Sequence, residues 1–243
     1  MTLVFIQPNW SAPKNVHACT TTRSGGVSAA PFDSFNIATH VNDNIDHVKK
    51  NRAQLKKTLQ LPNEPIWLDQ VHGNLVIDPA NRQSLTADGI YTDQKNLVCV
   101  IQTADCLPIL LCNKTGTEIA ALHGGWRSLS KNIIQEGIAK FHSLPSDITV
   151  WLGPAIGPNQ FEVGNEVREI FCTLDNHLKT VFKSLPNNRW LMNIYKTAEI
   201  FLQHCGVTNI YYDYYCTYSD PKHFYSYRRN HVTGRMATLI WME

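Results

Sequence analysis

Ten histidines and seven cysteines are spread through the 243 residues, and three of them stand where a strand-like run meets a loop. His72 lies in DQVHGN, Cys106 in TADC just ahead of LPILL, and His123 at the end of EIAAL, followed by Gly124 and Gly125. Rigid strand ends that converge hold donor atoms in a fixed geometry. Two imidazoles and a thiolate are a sensible set for zinc, and three protein ligands leave the fourth position open to water, the catalytic arrangement. The separations, 34 residues and then 17, match no local zinc motif. The same residues support another chemistry, with Cys106 as nucleophile, His72 or His123 as its base and Asp105 orienting the histidine. Residue types and spacing leave both readings open.

Three arginines are candidates for holding an anion or a substrate. TTRSGGVS is a polar turn with Arg23, and HGGWRS joins a strand to a helix with Arg127 near the helix start. Backbone amides at a helix start attract anions, and an arginine adds a two-pronged donor. SYRRNHVTGR carries Arg228, with Phe224, Tyr225 and Tyr227 in or beside it, and such rings and guanidinium groups stack on a flat heterocycle. Ordinary turns with surface arginines explain these stretches equally well. No P-loop or dinucleotide fingerprint is present.

The elements that must position these residues follow from apolar periodicity. Helices are expected at 44–59 (Ile45, Val48, Leu55 and Leu59 on one face), 129–141, 161–174 and 193–205, the last closed by Gly206. Strands are expected at 16–22, 66–69, 74–78, 97–102, 107–112, 118–123, 147–153, 209–216 and 236–241. The tyrosine-rich run IYYDYYCTY thus reads as a strand rather than a cofactor box. Many strands with about four helices, and no linker or repeat, predict an α+β fold in one domain spanning 1–243.

Composition narrows the function. Hydrophobic residues make up 43% and charged residues 17%, enough for a well-buried core. A net charge of +2, from 22 basic and 20 acidic residues, argues against a dedicated nucleic-acid binder. No apolar run reaches the roughly 18 residues of a membrane helix. MTLVFIQPNW has no basic region before its short apolar patch, which argues against a signal peptide. An odd number of cysteines without a CxxC pair argues against a disulfide framework, and a reducing cytoplasm is expected.

Eight motifs in order, TTRSGGVS, FNIATHVNDN, QVHG, ADGIYT, TADCLPILL, HGGWRS, LGPAIGPNQFEVGNEV and FYSYRRNHVTGR, resemble the laccase-domain family, also called multicopper polyphenol oxidase-like or peptidoglycan-editing-factor proteins and described as purine nucleoside phosphorylases. The resemblance runs from about residue 17 to the C-terminus. It implies a compact α+β domain with mixed sheets between helical layers, and zinc held by His72, Cys106 and His123. It also implies phosphorolysis of adenosine, inosine, guanosine and methylthioadenosine, together with adenosine deamination, so that the partners are purine nucleosides and phosphate. Cys106, Asp105 and His72 are then the candidate catalytic residues, with Arg23, Arg127 and Arg228 for substrate or phosphate.

This chain has HGGWRS where the common form is HAGWRG. Gly124 is expected to loosen the turn, and Ser128 to stand where a glycine would allow positive φ or close approach of a ligand. The name laccase carries no expectation of its chemistry, because four coppers need histidines in HxH pairs and the chain has none. Copper can bind the same three donors adventitiously but is not favoured over zinc. Two other functions fit the residues: a cysteine amidase acting on a peptidoglycan precursor, and a non-enzymatic binding module.

Overall fold

The computed structural model describes residues 2–81 and 84–243. The strands are β1 (Phe5–Ile6), β2 (Val16–Thr21), β3 (Ile66–Trp67), β4 (Val76–Ile77), β5 (Gly89–Thr92), β6 (Cys99–Thr103) and β7 (Leu107–Asn113). They continue with β8 (Ile119–Gly124), β9 (Ile148–Leu152), β10 (Glu162–Gly164), β11 (Phe182–Leu185), β12 (Arg189–Met192), β13 (Asn209–Tyr211) and β14 (Met236–Met242). The α-helices are α1 (Ile45–Leu59), α2 (Trp126–Ser130), α3 (Ile133–Ile138), α4 (Asn165–Leu174), α5 (Ile194–His204) and α6 (Tyr227–Asn230).

Two mixed sheets dominate. One has the order β1-β2-β14-β6-β3 and the other β13-β9-β7-β8-β5-β4, with β10-β12-β11 forming a small third sheet. Side chains alternate across each strand, so a strand buried on both sides feeds two cores. Leu110 and Cys112 of β7, Ala121 of β8 and Trp151 of β9 meet Cys99, Ile101 and Ile240 in the core between the two large sheets. Their neighbours along the same strands, Ile109, Leu111, Leu122 and Val150, turn the other way and pack with residues of α3 and α5. On the far side of the other sheet, Val100, Leu239 and Trp241 pack with Leu55 of α1. The order is therefore helix, sheet, sheet, helix, the α+β architecture with sheets between helical layers. Among the described residues no helix is long and apolar enough to cross a membrane.

Several boundaries differ from the periodicity. The helix expected at 129–141 is two short helices, because Asn132 adopts φ 69° between α2 and α3. The helix expected at 161–174 starts at Asn165, after the pairing of β10 with β12. Only Asn209–Tyr211 of the tyrosine-rich run is a strand; it pairs in parallel with Thr149–Trp151 of β9. Beyond it, Tyr212 and Tyr214 pack edge to face, with centroids 5.0 Å apart. In α1, Ile45 is exposed, and the buried side is Val48, Asn51 and Leu55. Asn51 can sit there because its side chain donates to Ser34 O and Asn36 O and accepts from Val27 N. β1, β5, β11 and β12 are elements that the apolar pattern did not predict.

Candidate metal centre

The chain passes from one large sheet to the other between β6 and β7, and Ala104, Asp105 and Cys106 make that passage. The loop between β3 and β4, which carries His72, crosses the same seam. His123 lies on β8 beside it, opposite Pro108, while Leu107 pairs with Gly124. This register brings Cys106 next to Gly125 and beside the imidazoles. Cys106 Sγ lies 3.8 Å from His72 Nε2, and the His72 and His123 rings meet edge to face at 4.8 Å. One donor atom from each of the three residues lies within 4.8 Å of the other two. Gly125 makes room for this, since a Cβ there would stand 2.9 Å from His72 Cδ2 and 3.2 Å from Cys106 Sγ.

Asp88 organises the site, and it was not among the residues singled out by type and spacing. It is fully buried, immediately before β5, in the ADGIYT motif. The β5–β8 register pairs Gly89 with Leu122, which sets Asp88 beside His123. His123 Nδ1 donates to Asp88 Oδ1 at 2.8 Å. The backbone amides of Val71, His72 and Gly73 donate to the same carboxylate at 3.2, 2.9 and 2.6 Å. An ionised carboxylate only accepts, so Nδ1 of His123 carries the proton and Nε2 is left for the site. His72 has φ 57°, a left-handed conformation uncommon outside glycine, and those three amide bonds hold the turn that imposes it.

Charge reinforces the geometry. Burial alone would push the Cys106 thiol up; attraction to His123, with hydrogen bonds from His123 and His72, brings it down to about 6. His123 is raised in turn, because the Cys106 and Asp88 charges outweigh its burial. Asp88 is held below the usual carboxylate range by His123 and the loop amides, against the opposing effect of burial. The Cys106 thiolate is thus paired with a protonated His123, whose Nε2 proton a metal would displace. Tetrahedral zinc needs sulfur and nitrogen ligands roughly 3.6 Å apart, close to the observed 3.8 Å. His72, Cys106 and His123 therefore fit zinc, and partial exposure of His72 and Cys106 leaves one side accessible.

The remaining candidates are placed differently. Asp105 makes no hydrogen bond to either histidine, so the orienting role expected of it belongs to Asp88. Its carboxylate accepts from Thr217 Oγ1, Ser226 Oγ and Arg228 N at 2.6, 3.0 and 2.7 Å, anchoring the C-terminal loop beside Cys106. Arg23 donates to Asp33 O, Asp33 Oδ2 and Pro221 O and lies over Tyr225, a set of structural contacts. Arg127 is exposed and stacks on Trp126 at 4.3 Å. The Arg228 side chain donates to Gln160 O and lies over Phe161, while its backbone meets Asp105. Gly124 ends β8 rather than forming a turn. Ser128 lies within α2, with its buried hydroxyl unpartnered, and is not a positive-φ position.

The family model for multi-copper polyphenol oxidoreductase laccase matches residues 17–243. The chain belongs to this family. Relatives with similar sequences include a purine nucleoside phosphorylase of Haemophilus influenzae, 46% identical over 98% of this chain and 99% of the relative. Purine nucleoside phosphorylase YfiH of Escherichia coli is 45% identical, covering 98% of each chain. Among solved structures, the Neisseria meningitidis protein NMB0706 superposes with a TM-score of 0.95 at 38% identity, covering 98% of this chain and 99% of that one. YlmD of Geobacillus stearothermophilus superposes with a TM-score of 0.87 at 27% identity, covering all of both chains. The laccase family name is a label here, since the centre offers two imidazoles and one thiolate rather than the histidine pairs of a four-copper oxidase.

Proposed function

We propose that this protein is a zinc-dependent purine nucleoside phosphorylase of the cytoplasm, acting on adenosine, inosine, guanosine and methylthioadenosine, with adenosine deamination as a second activity. The observation that carries the reading is the convergence of His72, Cys106 and His123 at an accessible seam, with Asp88 behind them. Relatives named purine nucleoside phosphorylase support it. In phosphorolysis a phosphate oxygen bonds to ribose C1′ while the C1′–N9 bond breaks. The electron pair leaves with the purine, which takes up a proton, and positive charge builds on the sugar. In deamination the oxygen of water bonds to C6 of adenosine and ammonia departs. Zinc, when bound by His72, Cys106 and His123, would supply a Lewis acid. Cys106 and His72 hold the accessible side, and His123 holds the buried side. Asp88 keeps the proton on His123 Nδ1, so that its other nitrogen stays directed at the centre. Asp105 and the loop it anchors form a wall beside Cys106.

The test is to incubate zinc-loaded protein with a nucleoside panel, with and without phosphate, and to identify products by mass. Free base and ribose 1-phosphate that appear only with phosphate are the expected result. No turnover of any nucleoside overturns the reading. A second reading rests on the lowered thiol of Cys106 beside His72 Nε2, which is also the arrangement of a cysteine amidase. Chelation separates them: stripping metal abolishes the phosphorylase activity and leaves an amidase intact.

A further inference from the structure

Phosphorolysis needs a cation to hold phosphate, and Arg23, Arg127 and Arg228 are engaged elsewhere or turned to solvent. Arg228 likewise leaves Nε and Nη2 uncommitted, but its backbone sits in the short helix α6, whereas Arg235 is fixed by strand pairing beside it. It immediately precedes β14, where Met236 pairs with Thr103 at the end of β6. That register sets Arg235 alongside Ala104, the residue before Asp105 and Cys106. Asn36 Oδ1 accepts from its backbone amide at 3.0 Å, and the preceding Gly234 passes so close to Tyr225 and Asn36 that a Cβ would stand 2.7 and 2.9 Å from them. The backbone is therefore fixed.

The side chain is half-buried, between buried neighbours on both sides in the sequence. Nη1 donates to Thr233 O and Gly234 O, whereas Nε and Nη2 have no protein acceptor among the described residues. No carboxylate among those residues comes within ion-pairing distance of it. Burial pulls its pKa below the usual range, and the charges at Cys106 and then Asp105 pull it back. Burial and then the charge of Arg235 lower His40. Tyr227 faces it at 6.0 Å. A guanidinium removed from water without a counter-ion is costly unless an anion completes it.

The geometry points to a phosphate subsite built on Arg235, beside the His72–Cys106–His123 centre. Its two uncommitted donors suit the planar, two-pronged recognition of an oxyanion. This deepens the phosphorylase reading and rests on it for the role of the phosphate, but not for the binding of phosphate.

The experiment titrates zinc-loaded protein with inorganic phosphate by calorimetry and, in parallel, measures the phosphate and inosine KM of inosine cleavage. Wild type is compared with Arg235→Gln, Arg235→Lys and the exposed control Arg189→Gln, each checked for zinc content and thermal unfolding. Arg235→Gln is expected to weaken phosphate binding and raise the phosphate KM by about tenfold or more. Its inosine KM and zinc content stay at wild-type values, a split that a merely structural residue would not produce. Arg235→Lys keeps the charge, loses the fork and falls between; it carries the test should the glutamine variant fail to fold. Arg189→Gln changes neither quantity. Wild-type phosphate affinity in a folded, zinc-loaded Arg235→Gln overturns the subsite, as does a wild-type protein that binds no phosphate. Should phosphate bind through Arg235 while no nucleoside is cleaved, the phosphorylase reading falls and the subsite stands.

Discussion

Two clusters among the described residues bring three metal-ligating atoms within 4.8 Å of one another, and they are built in opposite ways. At His72, Cys106 and His123 the carboxylate stands behind the donors: Asp88 is buried, fixes one imidazole and holds the loop that carries the other. At Asp175, His177 and His204 the carboxylate is itself a donor. It accepts from His177 N and Nδ1 at 2.8 and 2.9 Å, and its second oxygen lies 3.4 Å from His204 Nδ1. No buried carboxylate among the described residues stands behind these imidazoles, whose side chains are 84% and 51% exposed. Holding exposed side chains in one geometry costs conformational entropy that folding has already removed from a buried pair. Donor proximity is common to both clusters; preorganisation belongs only to the first.

The largest effect that follows from this contrast is loss of the metal. Cys106→Ala should emerge from desalting without the zinc that wild type retains, and nucleoside cleavage should fall by about a hundredfold or more. His177→Ala with His204→Ala should keep both, as metal analysis and the product assay will show. A double variant that loses its zinc while Cys106→Ala retains it would reverse the ranking of the two clusters. Next in size is Asp88→Asn, which keeps the shape but removes the charge paired with His123. Zinc affinity, read by competition with a chelator, should drop about 10- to 100-fold, whereas Asp175→Asn should leave it unchanged.

A smaller effect concerns reactivity after the metal is stripped. Cys106 ionises above about 6, so its alkylation should be fast near neutrality and slow as the pH falls through that value and the thiolate takes up a proton. Cys19, Cys99 and Cys112, which burial pushes up to about 12, should stay unmodified in the native protein. Peptide mass mapping reads both, and a rate that is flat across this range would remove the thiolate–imidazolium pairing. The smallest effect is on stability: the paired His177 and His204 substitutions should change the free energy of urea unfolding by less than about 1 kcal/mol, as exposed ion pairs usually do.

Residue type and strand-end position were enough to pick His72, Cys106 and His123 out of ten histidines and seven cysteines. The continuous apolar run LPILL was enough for a buried strand at 107–112. The apolar pattern failed where its period was interrupted: Asn132 splits a continuous apolar stripe into two helices, and nothing in the stripe itself marks the break. The tyrosine run reads as a strand by β-propensity, yet pairing with β9 stops at Tyr211, because a strand needs a partner as well as a suitable sequence.

Asp88 and Asp105 show where local reading ends. Both are acidic residues directly before or near the start of a buried strand, and Asp105 sits next to a candidate ligand. It is nevertheless Asp88 that reaches His123, because the pairing of β5 with β8 sets the two opposite each other, while the passage between sheets turns the Asp105 carboxylate toward Thr217 and Ser226. Arg235 is a parallel case, brought alongside Ala104 by the pairing of β14 with β6 across more than a hundred residues of chain. The amino-acid sequence alone determined the donor types, their places at strand ends and the α+β class, since these depend on chemistry and on periods of two or 3.6 residues. Which carboxylate backs which imidazole, and which arginine stands alongside Ala104, was decided only in the tertiary structure, because strand register and sheet crossing are cooperative outcomes of packing that no local period encodes.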